Sequence, residues 1–159
     1  MIHSVCVYLH DGSAWLLMYR NKKPHDVNHG KWIGVGGKME NDETPLTCAI
    51  RETREETGYE LVPDSLQLQG EVLFDSLLAE TEKIWIYTAQ VQKHDLPVCN
   101  EGTLVWVKEE DIFSLPMWAA DRIFLKEVLA GIQQPFYYRA RYDEAGRLTG
   151  LSKGGMNDE

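Results

Sequence analysis

The stretch from Gly37 to Tyr59 constrains this chain most, because it predicts a helix whose two ends are both marked. Thr44 suits the N-cap, where its hydroxyl accepts a free backbone N–H, and Pro45 follows at the first helical position, where no N–H is needed. Gly58 suits the end of the helix. Residues at three- and four-residue steps form a weakly apolar stripe that we expect to face a core: Leu46, Ala49, Ile50, Thr53 and Thr57.

The same helix carries three glutamates on one side. At 3.6 residues per turn, Glu52, Glu55 and Glu56 project roughly 120° from the apolar stripe, so we expect their carboxylates to share one partly open face. Like charges this close repel, and near the C-terminal turn they also oppose the helix dipole. Two interpretations are open: a solvated charged face, or a site for a hard cation such as Mg²⁺ or Mn²⁺, which binds carboxylate oxygens.

Arg51 and Glu43 predict a brace beside these glutamates. A planar guanidinium can hold a carboxylate through two parallel hydrogen bonds. We therefore expect this pair to determine how the loop before the helix meets the helix.

The spacing of these residues resembles the Nudix box, G-x5-E-x7-R-E-U-x-E-E-x-G-U, where U is an aliphatic residue. With residue frequencies near about one in fifteen, chance agreement at a given start is on the order of 10⁻⁸. Thr53 and Tyr59 depart from the pattern, since the family usually has aliphatic residues there, and this affects local packing more than a metal site. The fixed positions in register are Gly37, Glu43, Arg51, Glu52, Glu55, Glu56 and Gly58.

Composition limits the classes of protein. At 159 residues and 43% hydrophobic content, we expect one domain over residues 1–159, with a loosely ordered polar tail from 152 to 159. The net charge of −9 argues against binding of nucleic-acid polymers, which requires basic surface. The three cysteines form no CxxC pair, so neither a disulfide framework nor a zinc site is predicted. A soluble cytoplasmic protein is expected, because no segment is long and apolar enough for a signal sequence or membrane span.

Apolar runs bounded by turn residues predict a sheet, and a second helix is predicted from Met117 to Gly131. This pattern indicates an α+β or α/β sandwich. The resemblance implies the Nudix fold, a mixed β-sheet between helices in an α/β/α sandwich. The predicted strands are Ser4 to His10, Ala14 to Tyr19, Lys31 to Gly37, Leu66 to Phe74, Lys83 to Gln92 and Thr103 to Lys108, followed by a hairpin of Gln134 to Tyr142 and Arg147 to Ser152.

Three features outside the box complete the predicted phosphate end of a site. The loop from Asn21 to Lys31 is the most basic window, and Lys23 in it either attracts polyphosphate or is simply solvated. The glycine-rich strand allows close backbone approach, so the Gly36 carbonyl is a candidate metal ligand. Glu101 is either an ordinary surface residue or, as the resemblance implies, a further metal-binding or base carboxylate.

The resemblance extends to the MutT-type branch, which hydrolyses oxidised purine nucleoside triphosphates, through HGKWIGVGGK, Glu101 and the segment from Met117 to Asp121. It implies that Trp118 stacks on a purine and that Asp121 reads its edge, although Trp118 can equally be core. Relatives often have Asn at the Ile33 position and a second acid near Ala120, so a different base selectivity is also open. The remaining candidate substrate-binding residues are Tyr8 and Trp32.

The resemblance implies a Mg²⁺-dependent nucleoside triphosphate pyrophosphohydrolase that sanitises oxidised purine nucleotides such as 8-oxo-dGTP, releasing nucleoside monophosphate and pyrophosphate. Glu52 and Glu56 are the first expected metal ligands, supported by Glu55, the Gly36 carbonyl and Glu101. Either Glu52 or Glu101 is the expected base.

Other outcomes stay open at this point. One is a different Nudix substrate, such as ADP-ribose, a dinucleoside polyphosphate or a non-nucleotide diphosphate. Another is a non-catalytic nucleotide-sensing module, against which the intact box glutamates argue. The expected partner is a small nucleotide, with no nucleic-acid polymer or membrane, and the protein is either a monomer or a homodimer.

Overall fold

One mixed sheet of nine strands forms the centre of the structure, a computed structural model that describes residues 1–154. Within this range the α-helices are α1 (Pro45–Thr57) and α2 (Ala119–Ala130), and 3-10 turns cover Pro63–Ser65 and Glu109–Ser114. The strands are β1 (Ile2–His10), β2 (Ala14–Tyr19), β3 (Trp32–Ile33), β4 (Val35–Lys38), β5 (Leu66–Ser76), β6 (Glu82–Gln90), β7 (Thr103–Lys108), β8 (Phe136–Tyr142) and β9 (Leu148–Lys153).

The sheet runs in the order β3-β2-β1-β6-β5-β8-β9, with β4 also paired to β1 and β7 to β2. Two pairs, β1 with β6 and β5 with β8, are parallel, and the others are antiparallel. A parallel pair needs a long crossover, and here the chain between the partners includes α1 in the first case and α2 in the second. The predicted mixed sheet with helices is confirmed.

Each helix covers one face of the sheet. Successive side chains of a strand point to opposite faces, and β1 is buried on both. Val7 and Leu9 lie in a core cluster with Ala49 of α1, whereas Tyr8 lies in a second cluster with Phe124 of α2. The sheet therefore separates two apolar cores, and β1 contributes to both.

The ends of α1 are those that the sequence predicts. The Thr44 hydroxyl accepts the Thr47 N–H, and the Thr47 hydroxyl accepts the Thr44 N–H, so the two residues satisfy each other's free donors. Gly58 ends the helix at φ 82°, a left-handed conformation that favours glycine. The buried face is Cys48, Ala49, Thr53, Glu56 and Thr57, while Leu46 and Ile50 are only partly buried.

Several element boundaries differ from the sequence prediction, most of them by one or two residues. The segment predicted as one strand from Lys31 to Gly37 forms two strands with different partners, because β3 pairs with β2 and β4 pairs with β1. The second helix begins at Ala119, with Trp118 extended at its N-cap. Strand β9 continues through Lys153 and takes in the start of the expected tail, while residues 155–159 lie outside the described range.

The described helices have 13 and 12 residues, and neither is long and apolar enough to cross a bilayer. The cysteines Cys6, Cys48 and Cys99 are all free, as their spacing predicts.

Candidate functional site

A cleft of about 1000 Å³ collects most of the candidate residues. One part, the carboxylate end, is lined by Glu52, Glu56 and Glu101; another, the aromatic end, is lined by Trp118 and Asp121. Cys6 of β1 lies between them. Burial raises the pKa of its thiol to about 12, and both Asp121 and Glu56 add to the rise, which places Cys6 within electrostatic range of the two ends.

Glu56 lies on the buried face of α1, and only 8% of its surface is exposed. Its carboxylate accepts the Gly36 N–H at 3.1 Å. Burial raises the pKa of Glu56 to about 8; the Gly36 N–H opposes the rise and nearby Glu52 adds to it. In the protein alone, this carboxyl is therefore largely protonated at neutral pH.

Glu52 lies one turn earlier and packs against the backbone of β4. Burial raises its pKa, and a 3.0 Å hydrogen bond from Arg51 opposes the rise. A Cβ added at Gly37 would approach Glu52 Oε1 to 2.5 Å. A side chain at position 37 would therefore displace the Glu52 carboxylate from this position.

Arg51 forms the predicted fork with Glu43. Its Nε and Nη2 donate to the two Glu43 oxygens at 2.7 and 2.9 Å, and the same guanidinium holds the pKa of Glu43 down at about 2. Arg51 also donates to Glu52 at 3.0 Å and to Glu55 at 3.2 Å.

The three box glutamates do not share one open face, contrary to expectation. The Glu55 side chain is 53% exposed and lies against Arg51, and Glu55 is absent from the cleft lining within residues 1–154. Its neighbour Glu56 follows Thr53 by three residues, which is close to one helical turn. Glu56 is therefore buried on the core side of α1, together with Thr53 and Thr57.

Glu101 lines the cleft from the loop before β7. Lys23 Nζ lies 2.9 Å from one of its oxygens, and Arg20 Nη2 lies 3.3 Å from the other. Lys23 also lines the cleft, so the basic loop does border the carboxylate end. Arg20 and its partner Asp26 were not predicted from the sequence, because no periodicity or motif marks a pair in an irregular loop.

The donors suit a hard divalent cation. Glu52, Glu56, Glu101 and the Gly36 carbonyl offer only oxygen atoms, and a cation would favour the charged carboxylates whose pKa values are raised mainly by burial and further by their mutual repulsion. In residues 1–154, no three acidic, histidine or cysteine side chains converge closely enough to hold an ion. Glu52 is hydrogen-bonded to Arg51, and Glu101 is paired with Arg20 and Lys23. Ligation of an ion therefore requires these carboxylate side chains to rotate.

At the aromatic end, Trp118 is half-buried and fixed by polar contacts. Its Nε1 donates to Asn28 Oδ1 at 2.7 Å, and Lys31 Nζ lies 4.4 Å from the ring centroid. The edge of Tyr142 meets the indole at 4.9 Å between centroids. Trp118 is therefore partly packed and also borders the cleft.

Asp121 lies in the first turn of α2 and is 5% exposed. Burial raises its pKa to about 7, and Lys31 opposes the rise. In the described part of the chain, no side chain donates a hydrogen bond to its carboxyl group, which borders the cleft with its polar atoms available. Near neutral pH such a group can both donate and accept.

The two remaining substrate-binding candidates differ. Tyr8 is buried and lines the cleft, and burial raises the pKa of its phenol. Trp32 is outside the cleft lining in the described residues, and its ring stacks on Tyr19 at 4.9 Å. Its neighbour Ile33 takes the cleft side, as strand alternation requires, and the substrate-binding role of Trp32 stays a prediction.

Known proteins resemble this chain over most of its length. The profile of the NUDIX domain family matches residues 2–128. The chain is 31% identical over 131 residues to the Nudix hydrolase YvcI of Bacillus subtilis, across 79% of this chain and 77% of that protein. It is 32% identical over 109 residues to the oxidized purine nucleoside triphosphate hydrolase of Danio rerio, across 67% of this chain and 68% of that protein.

The fold is similar as well. A crystal structure of a MutT protein from Bacillus halodurans matches with a TM-score of 0.81 at 25% identity, covering 96% of this chain and 97% of that one. These similarities confirm the resemblance that the box residues predict, including its MutT-type branch. The family match and the arrangement of the box residues on α1 together establish that the chain belongs to the Nudix family of hydrolases.

Proposed function

We propose that this hydrolase is a Mg²⁺-dependent nucleoside triphosphate pyrophosphohydrolase that prefers oxidised purine nucleotides such as 8-oxo-dGTP. One observation carries the proposal: a single cleft of about 1000 Å³ is lined both by the carboxylates Glu52, Glu56 and Glu101 and by Trp118 and Asp121. The similarity to the Danio rerio oxidized purine nucleoside triphosphate hydrolase supports the choice of substrate.

Glu52, Glu56, Glu101 and the Gly36 carbonyl are the proposed metal ligands. Mg²⁺, or Mn²⁺ in its place, neutralises phosphate charge and lowers the pKa of bound water. Glu55 was expected among the ligands, but its contact with Arg51 supports a bracing role instead. Arg51 and Glu43 are proposed to hold Glu52 in place.

The chain's part in the reaction is proton removal and charge placement. Water attacks a phosphorus of the triphosphate, the bond to the bridging oxygen breaks, and pyrophosphate leaves together with a nucleoside monophosphate. Either Glu52 or Glu101 accepts the proton of the attacking water, since both border the cleft. Lys23, at the rim, attracts the polyphosphate.

Base recognition is assigned to Trp118 and Asp121. The indole offers a stacking surface whose position is held by Asn28 and Lys31. The Asp121 carboxyl group offers a donor and an acceptor to a purine edge. Ile33 contributes only apolar surface to this cleft, so selectivity among purines depends on Asp121.

Turnover of a nucleotide panel tests the proposal. The panel contains 8-oxo-dGTP, dGTP, dATP, dCTP, ADP-ribose and a diadenosine polyphosphate, each with Mg²⁺ and with EDTA. We expect pyrophosphate release that needs Mg²⁺, with the highest kcat/KM for 8-oxo-dGTP. Preferred turnover of ADP-ribose or the dinucleotide would assign another Nudix substrate, and binding without turnover would indicate a sensing module.

We further propose that the enzyme works in the cytoplasm, alone or as a homodimer. The three free cysteines support a reducing compartment.

A further inference from the structure

Five residues connect the two ends of the cleft through side-chain contacts and one backbone N–H, that of Asn28. No hydrogen bond, ion pair or ring contact joins Glu101 to Trp118 directly within the described residues. A chain of contacts does so through the loop after β2, and its members in order are Glu101, Arg20, Asp26, Asn28 and Trp118.

The first half of this connection is an ion pair shared by two carboxylates. Arg20 Nε lies 2.7 Å from Asp26 Oδ2, and Arg20 Nη2 lies 3.3 Å from Glu101 Oε2. The side chains of Arg20 and Asp26 are only 15% and 11% exposed. The Glu101 side chain is 34% exposed, so solvent screens the Arg20–Asp26 pair less than the Arg20–Glu101 pair, and the guanidinium lies between both carboxylates.

The second half runs through Asn28. The other oxygen of Asp26, Oδ1, accepts the Asn28 N–H at 3.1 Å. The Asn28 side chain in turn accepts the indole N–H of Trp118 at 2.7 Å, and its backbone carbonyl accepts the Lys31 N–H at 3.0 Å. The two oxygens of Asp26 therefore contact two different residues. One is Arg20, which pairs with Glu101 at the carboxylate end, and the other is Asn28, which holds Trp118 at the aromatic end.

We propose that Asp26 is a positioning residue that couples the placement of Glu101 to the placement of Trp118. When Glu101 leaves Arg20, the guanidinium has Asp26 as its remaining acidic partner, and the carboxylate that also holds Asn28 shifts with it. The inference deepens the proposed function in one respect, since that function supplies the reason for Glu101 to move. The coupling itself is a property of the protein alone.

A purely local role for Asp26 predicts different behaviour. An aspartate that only stabilises its own loop would lower thermal stability without linking the two ends. Asp11 provides the matched control, because its Oδ1 accepts the Ser13 and Ala14 N–H groups at 2.8 Å and its Oδ2 lies 3.5 Å from Lys93. Asp11 is outside the cleft lining in the described chain.

The decisive experiment needs neither metal nor nucleotide. In ¹⁵N-labelled protein, the indole N–H signal of Trp118, assigned by its loss in Trp118→Phe, reports the hydrogen bond to Asn28. We expect Glu101→Gln to move this signal in the wild-type background and to leave it in place in the Asp26→Asn background. Asp26→Asn keeps the size of the side chain and the acceptor for the Asn28 N–H, and removes the charge that faces Arg20. In the Asp11→Asn background the movement is retained.

Two results overturn the proposal: an equal movement with and without the Asp26 charge, or no movement in the wild-type background. If Asp26→Asn does not fold, Arg20→Lys replaces it, because an ammonium group keeps the charge but cannot span the same two carboxylates as a fork. The other four tryptophan signals serve as the check on folding.

A turnover measurement separates this inference from the proposed function. If the wild type hydrolyses a nucleotide, Asp26→Asn changes its half-saturating Mg²⁺ concentration by about fivefold or more, and Asp11→Asn leaves it unchanged. An unchanged Mg²⁺ dependence in Asp26→Asn overturns the coupling. If no nucleotide is hydrolysed, the proposed function fails, and the metal-free signals still decide the coupling.

Discussion

Glu56 differs from the other box glutamates through its surroundings. It is buried on the core side of α1 beside a second carboxylate, and its pKa rises to about 8 as a result. The carboxyl accepts the Gly36 N–H, and burial in this position imposes a desolvation cost on its charged form. The position is explained if the charged form is needed when a cation is bound.

We expect Glu56→Gln to lower kcat by roughly 10³-fold or more in Mg²⁺, since the substitution keeps the shape and removes the charge. The melting temperature in EDTA stays near the wild-type value, because an amide replaces a largely protonated acid. Steady-state kinetics and calorimetry measure both effects. Glu60→Gln, an exposed change just beyond α1, is the control, and near-normal turnover of Glu56→Gln would remove this residue from the metal site.

Arg51 contacts Glu43, Glu52 and Glu55. The substitution Arg51→Lys keeps the positive charge but loses the fork to Glu43. We expect lower stability and lower kcat/KM. The loss of stability depends on pH in a defined direction. The folded pKa of Glu43 lies at about 2, below its ordinary 4.5, so its contribution is present above about pH 4.5 and disappears as the pH falls towards 2.

Urea unfolding of both proteins between pH 7 and pH 2.5 measures this dependence. We expect the difference in the free energy of unfolding between the wild type and Arg51→Lys to become smaller as the pH falls. Arg54→Lys, an exposed change on the same helix, changes neither quantity. If Arg51→Lys matches the wild type in melting temperature and rate, the fork has no bracing role.

At the scale of the element, α2 presents Trp118 at its N-cap and Asp121 one turn later, and both border the cleft. A core tryptophan replaced by alanine costs about 3–5 kcal/mol of stability. Because Trp118 is half-buried, we expect Trp118→Ala to cost less than this and mainly to raise KM.

Asp121→Asn hardly changes volume, but it alters the donors and acceptors at a purine edge. We expect the ranking of kcat/KM for 8-oxo-dGTP, dGTP, dATP and dCTP to change. Assays with these four nucleotides provide the measurement, and Asp111→Asn, on the exposed 3-10 turn before α2, is the control. An unchanged ranking would exclude Asp121 from base recognition.

At the scale of the whole molecule, two buried acids give the metal-free protein an unusual pH dependence. The pKa of Asp121 rises from 3.8 to about 7, and that of Glu56 from 4.5 to about 8. Between these values the folded chain holds protons that the unfolded chain has released. The contribution of these two acids to stability is therefore fully present below their unfolded pKa values and is lost as the pH rises through the folded ones.

We expect the free energy of unfolding in EDTA to fall between pH 5 and pH 8, each acid contributing up to about 1.4 kcal/mol per pH unit. Asp121→Asn removes the contribution of Asp121, so the free energy of unfolding falls less steeply with pH up to about pH 7. Chemical denaturation at closely spaced pH values measures the slope. A wild-type stability that rises over this range would show that the two acids are ionised in the folded protein.

The sequence by itself determined α1 and the family. The caps of α1 act through groups three residues apart, and the box is a matter of spacing along one chain, so neither depends on distant partners. The division of residues 32–38 into two strands could not be predicted from local spacing. Strand β3 pairs with β2 and strand β4 pairs with β1, so the division depends on distant partner strands.

Only the tertiary structure decided which candidates line the cleft. It buried Glu56 and placed Trp32 on Tyr19 instead of in the cleft, whereas the contact of Glu55 with Arg51 is a local one between residues four apart on α1. The connection from Glu101 through Arg20 to Asp26 joins residues up to 81 positions apart. Such contacts depend on how strands and loops pack against each other, and local spacing carries no information about distances between segments that meet only in the folded chain.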